Sequence, residues 1–97
     1  LIYGVVKDSS LIGIFFLRLF ANGKAFLGFV VSKEARGNGL GKLILSTLAT
    51  ACEETRFRLY SSVSTRNVPS LKVHKNVGFR ITRVMKNGYA EFFWPNT

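Results

Sequence analysis

Arg36-Gly37-Asn38-Gly39-Leu40-Gly41 is the stretch of this 97-residue chain that decides its fold. An apolar, β-branched run ends just before it, near Val31. Just after it, Leu40, Leu43, Ile44, Leu48 and Ala51 recur at helical spacing, with Lys42, Ser46, Thr50 and Glu53 on the other face. The pattern predicts a strand, a glycine turn and an amphipathic helix over about residues 39–54. Glycines at alternate positions remove side chains where the chain turns from strand into helix, so several N–H groups are free to face one site. The positive end of the helix dipole, with Arg36 and Lys42 at the rim, suits an anion, and phosphate is the natural ligand.

Two familiar phosphate loops are excluded. A Walker A loop needs glycine where Arg36 stands and Ser or Thr where Leu43 stands. A dinucleotide fingerprint needs G-x-G-x-x-G in a βαβ unit, whereas the spacing here is G-x-G-x-G after an antiparallel hairpin.

Outward from the turn, residues 1–7, 11–20 and 25–32 read as strands rich in β-branched and aromatic residues. Asp8-Ser9-Ser10 closes the first, and Asn22-Gly23 supplies the positive φ of a tight hairpin between the other two. These strands are apolar on both faces, which predicts a sheet covered on both sides. Toward the C-terminus, residues 57–63 read as a strand. A second helix starts near Asn67, a good N-cap followed by Pro69, and ends at Gly78. Residues 80–86 and 89–94 flank Asn87-Gly88 as a second hairpin. The fold class is α/β, a mixed and mostly antiparallel sheet flanked by helices, in the order three strands, helix, strand, helix, hairpin. One domain over residues 1–97 fits this length.

Composition narrows the function classes. Hydrophobic residues make up 47% of the chain and charged ones 20%, a globular balance. Cys52 is the only cysteine, so no internal disulfide forms, and its helical position suits a small buried thiol. The apolar stretch 11–20 is broken by Gly13 and Arg18 and is too short to cross a bilayer, and Leu1-Ile2-Tyr3-Gly4 lacks the features of a signal peptide, so a cytoplasmic protein is expected. Fourteen Lys and Arg against five acidic residues give a formal charge of +9, which draws polyanions of any kind. A basic nucleic-acid-associated domain is therefore a competing reading, although no nucleic-acid motif is recognised.

The segment Arg36 to Gly41 resembles the R/Q-x-x-G-x-G/A motif of the GNAT superfamily of acyl-CoA-dependent N-acyltransferases at Arg36, Gly39 and Gly41. A second segment, from Asn67 to Phe79, is similar to the family's N-x-x-A/S-x-x-x-Y-x-x-x-G-F motif at Asn67, Ser70, Gly78 and Phe79. The resemblance runs from the family's second strand to its end and leaves out the first strand and first two helices. In relatives those helices cover one side of the sheet and wall the acceptor pocket. Their absence would expose Phe15 and Phe16 unless a longer chain or a partner, such as a homodimer mate, covers them.

The resemblance implies acetyl-CoA as co-substrate and an amine as acceptor. Main-chain groups of Phe29, Val30 and Val31 are then expected to bond the pantetheine arm. The N–H groups of Gly37, Asn38, Gly39, Leu40, Gly41 and Lys42, with Arg36 beside them, are expected to hold the pyrophosphate. Asn67 matches an asparagine that contacts the cofactor and is also a helix cap. The reaction implied is direct attack of a neutral amine on the thioester. His74 stands where the family has a Tyr general acid, and both a proton-donor role and a structural one stay open for it. Ser62 stands where one branch has a Glu base. A water held by Ser62 and Tyr60, Glu91, or a group outside the segment would have to serve, while Glu34 is expected to face solvent. A GNAT-fold module that binds acyl-CoA without turnover is a further alternative. The excess of basic residues favours an acidic acceptor, such as a nucleotide-linked amino sugar.

Overall fold

The structure, a computed structural model, describes residues 2–7, 9–32, 36–37 and 39–95. The chain runs β1 (Ile2–Lys7), β2 (Ser10–Leu19), β3 (Lys24–Val31), α1 (Leu40–Glu53), β4 (Arg58–Ser64), α2 (Val68–Val77), β5 (Arg80–Val84) and β6 (Tyr89–Phe93). The six strands form one sheet in the order β1-β2-β3-β4-β6-β5. Every pairing is antiparallel except β3 with β4, which is parallel because α1 carries the chain back across the sheet. This is the mixed, mostly antiparallel α/β architecture expected.

The two hairpins share one turn. In the first, the Gly23 N–H donates to the Phe20 carbonyl at 3.0 Å and the Phe20 N–H to the Lys24 carbonyl at 2.9 Å; in the second, Gly88 and Met85 repeat this at 3.1 Å and Met85 with Tyr89 at 2.7 Å. Gly23 and Gly88 carry φ of 86° and 83°, whereas neither Asn22 nor Asn87 has positive φ. Each asparagine instead accepts through Oδ1 from the N–H two residues on, Lys24 or Tyr89, at 3.1 Å. The loop is a turn closed by a glycine bulge, so Met85 and Lys86 leave the strand expected to include them.

Both helices lie against one face of the sheet. That face buries Ala25, Leu27, Leu59, Val63, Ala90 and Phe92 against Leu45 and Ala49 of α1 and Phe79 after α2. Cys52 packs half-buried at the edge of this core, where burial pushes its thiol pKa up, as befits a packing residue. The expected cover on both faces is not found among the described residues: Ile14, Phe16 and Val30 are exposed on the other face. Strand alternation also separates the expected pair, since Phe15 packs against the core and only Phe16 is exposed. Phe16 lies directly over Gly28 of the neighbouring strand, whose missing side chain makes room for the ring. Among the described residues no helix is long and apolar enough to cross a membrane.

Candidate functional site

The parallel join between β3 and β4 is incomplete. Its ladder runs from Lys24↔Arg58 to Leu27↔Ser61 and stops, although both strands continue, to Val31 and Ser64. The strands diverge there and open a gap. On its other side β3 stays paired with β2, and the Ser32 N–H donates to the Ile12 carbonyl at 2.8 Å. That bond fixes the phase: main-chain groups at 28, 30 and 32 turn to β2, and those of Phe29 and Val31 turn to the gap. The gap is thus a strand edge without its ladder. Arg36 ties the following loop to this edge through its Nε–H, which donates to the Val31 carbonyl at 3.1 Å.

At the head of α1, Gly37 and Gly39 have φ of 83° and 78°, a region costly for any residue with a Cβ. The first helical bond runs from the Leu43 N–H to the Gly39 carbonyl at 3.0 Å. Gly39 is the N-cap, no side chain caps the helix, and no acidic residue occupies the first turn. The N–H groups of Leu40, Gly41 and Lys42 precede the first helical donor and have no acceptor within the helix. A Cβ at Gly37 or Gly39 would meet nothing within 4 Å, so open space faces the turn, whereas one at Gly41 would lie 3.2 Å from Phe29 Cε2. Turn and gap form one cavity of about 740 Å³, closed on its far side by Asn67, Pro69, Ser70 and Val73 of α2.

Asn67 caps α2, its Oδ1 accepting the Ser70 N–H at 3.2 Å, and Gly78 ends the helix at φ 114°. Between them His74 is fully buried. Its ring stacks on Phe29 at 6.1 Å and packs against Phe92 at 4.9 Å and Phe79 at 5.4 Å between centroids. His74 Nδ1 lies 2.7 Å from the Ser70 carbonyl, which can only accept, so Nδ1 carries the hydrogen. Nε2 is then the acceptor for the Ser61 hydroxyl at 2.9 Å. A second cavity of about 200 Å³, walled by Ser61, Ser62, Ser64, His74 and Tyr89, meets the first at Phe29, Asn67 and Ser70.

Burial holds the His74 imidazole below its ordinary pKa of 6.5, outweighing the Ser70 carbonyl, which favours the charged ring. Because the folded pKa is depressed, the unfolded chain binds the proton more readily. The stability linked to this group is therefore full above pH 6.5 and lost as pH falls through the folded value. Urea midpoints are expected to hold level from about pH 8 to about pH 7 and to drop toward about pH 5.5; a level midpoint throughout would exclude a neutral buried imidazole.

The family model of the acetyltransferase (GNAT) family matches residues 1–79. The chain belongs to that family. No sequence among curated proteins matches it. Solved GNAT structures share its fold. An N-acetyltransferase from Staphylococcus aureus Mu50 superposes with a TM-score of 0.82 at 18% identity, covering 95% of this chain and 65% of that protein. A phosphinothricin acetyltransferase from Sinorhizobium meliloti, solved with AcCoA, gives 0.76 at 23% identity, covering 92% and 56%. The GNAT domain of an S. lividans protein gives 0.78 at 20%, covering 93% and 57%. The chain spans less than two thirds of each.

Against the GNAT expectations, the large cavity gathers Phe29, Val30, Val31, Arg36, Gly37, Gly39, Leu40, Gly41, Lys42 and Asn67 on its walls. Asn38 and Glu34 lie outside the described residues. Val30 lines the cavity, but its main-chain groups turn to β2, so only its neighbours offer theirs to the gap. Ser62 and His74 both border the smaller cavity but belong to opposite sides of the sheet: Ser62 is exposed on the face away from the helices, and His74 is buried beneath the other with both ring nitrogens bonded. Ser62 stands in register with Glu91, whose carboxylate accepts from Thr82 Oγ1 at 2.8 Å and pairs with Arg83 at 3.5 Å. Tyr60 stacks on Phe26 at 5.4 Å with Lys24 Nζ 5.2 Å from its ring centre, and lines neither cavity. Ser61 and Ser70 are site residues that sequence reasoning left without a part. Ser70 was visible as a position of the second motif, while Ser61 showed only as a small polar residue on the apolar side of a strand.

Proposed function

We propose that the cleft binds acetyl-CoA and that the chain supports transfer of its acetyl group to a primary amine. One observation carries this: an uncapped helix start with two left-handed glycines opens onto a strand edge that has lost its ladder. The first suits a pyrophosphate and the second an amide-bearing arm. The S. meliloti enzyme solved with AcCoA supports the assignment through the shared fold. In this reading the N–H groups at residues 39–42 hold the phosphates, with Arg36 and Lys42 adding charge. Phe29 and Val31 bond the arm, and Asn67 reaches it with its amide hydrogens while Oδ1 caps α2.

The bound acetyl-CoA supplies the activated acyl group, and the amine attacks its carbonyl carbon. A C–N bond forms, the C–S bond breaks, and the electron pair leaves on sulfur. The proton lost by nitrogen passes to water held near Ser62, with the Glu91 carboxylate in register on the neighbouring strand. The net positive charge of the chain favours an acidic acceptor. A second reading, binding without turnover, draws on His74, whose ring nitrogens are both committed.

Thiol release from acetyl-CoA with a panel of amines separates the two. Transfer predicts amine-dependent release that saturates with acetyl-CoA. Saturable binding with no release for any amine contradicts transfer and leaves a binding module.

A further inference from the structure

We propose that the Ser70 hydroxyl is the hydrogen-bond donor to the sulfur of the bound thioester and of the thiolate that leaves it. This rests on the acyl-CoA reading above. An arm anchored at the glycine turn and laid along the β3 edge runs toward the second cavity, and its sulfur end lies where the two cavities meet. Three residues wall both: Phe29, Asn67 and Ser70. In the acyl-CoA reading the main-chain edge of Phe29 and the amide hydrogens of Asn67 are taken by the arm, and the oxygen of Asn67 is committed to the helix cap. Ser70 alone brings a hydroxyl.

Among the described residues, no acceptor takes the hydrogen of that hydroxyl. Ser46 and Thr50 on α1 donate theirs to carbonyls one turn back, Lys42 and Ser46, at 2.7 and 2.9 Å. Ser70 sits in the first turn of α2, where no helical carbonyl lies four residues behind it. Its hydroxyl oxygen lies 3.5 Å from His74 Nδ1. That nitrogen already carries a hydrogen directed at the Ser70 carbonyl, so the Ser70 oxygen can accept from it but cannot donate to it. The O–H is free to turn into the junction. His74 therefore acts as a positioning residue: it fixes which way Ser70 can donate and is itself fixed by Ser61.

The chemistry balances without a proton leaving serine. As the C–S bond breaks, negative charge gathers on sulfur, and the Ser70 O–H stabilises it while keeping its hydrogen, because a serine hydroxyl is a much weaker acid than a thiol. The thiolate departs as such or takes the proton released by the new amide nitrogen through water.

The test compares CoA with desulfo-CoA, in which hydrogen replaces the thiol, by titration calorimetry at a pH where the thiol is ionised. The wild-type chain is expected to prefer CoA by about tenfold, the scale of a hydrogen bond to a charged group. Ser70→Ala is expected to bind both alike, and Ser70→Thr, which keeps the hydroxyl, to retain the preference. Alanine favours the helix, and thermal unfolding of each variant verifies that α2 is intact. A Ser70→Ala chain that still prefers CoA overturns the proposal while leaving the cofactor reading standing. A wild-type chain that binds neither ligand overturns both.

Discussion

Replacing Gly37 and Gly39 together by alanine is expected to weaken acetyl-CoA binding about thirtyfold, with little change in thermal stability. Both residues hold φ near 80°, where a Cβ costs about 1–2 kcal/mol per residue. The space around both is open, so nothing in the fold forces alanine to stay there. The turn relaxes into an ordinary backbone region and its N–H groups swing out of convergence. Ligand binding must then restore the costly conformation, and about 2 kcal/mol in total corresponds to the thirtyfold loss. The core lies on the sheet beneath and is untouched, so the unfolding temperature is expected to stay within a few degrees. Calorimetric titration of both chains reads the effect, and an unchanged dissociation constant would mean that the left-handed turn is not the phosphate site.

His74→Ala is expected to be a stability variant first. The ring is fully buried between Phe29, Phe79 and Phe92, so truncation opens a cavity. It also strips the Ser61 hydroxyl of its acceptor inside the core. Together these amount to about 3 kcal/mol, a large part of the roughly 5–15 kcal/mol that holds a domain folded. For a domain of this size that is a fall of about 15 °C in melting temperature, readable by circular dichroism. A proton donor at the reacting sulfur predicts the reverse, a loss of kcat with melting temperature preserved.

Local chemistry accounts for what the sequence made legible. The expected helix over 39–54 is Leu40–Glu53, and Asn67 and Gly78 bound α2 as their cap propensities require. The glycine turn was readable because its conformation is written into residue types. What long-range pairing decides was not. Nothing near Val30 tells which way its N–H points; that depends on the phase of pairing with β2, set by Ser32 and Ile12. The motif put His74 in the place of a tyrosine, but its meaning comes from Ser61, thirteen residues away on β4. Apolar alternation in β2 and β3 marked two greasy faces without saying what packs on each, so cover was expected on both and the described residues supply it on one. The Asn-Gly pairs announced hairpins correctly. In both, the asparagine bonds through its side chain and the glycine alone takes the positive φ.

In the proposed function, main-chain N–H groups at the head of α1 and along the free edge of β3 hold an acyl-CoA. Amide chemical shifts followed by nuclear magnetic resonance while acetyl-CoA is added report on these groups one by one. Saturable shifts are expected, largest at Gly37, Gly39, Leu40, Gly41 and Lys42, with Phe29 and Val31 next and the Val30 amide, paired to β2, moving less. Saturable shifts elsewhere that leave the glycine turn and Phe29 in place would contradict the acyl-CoA reading.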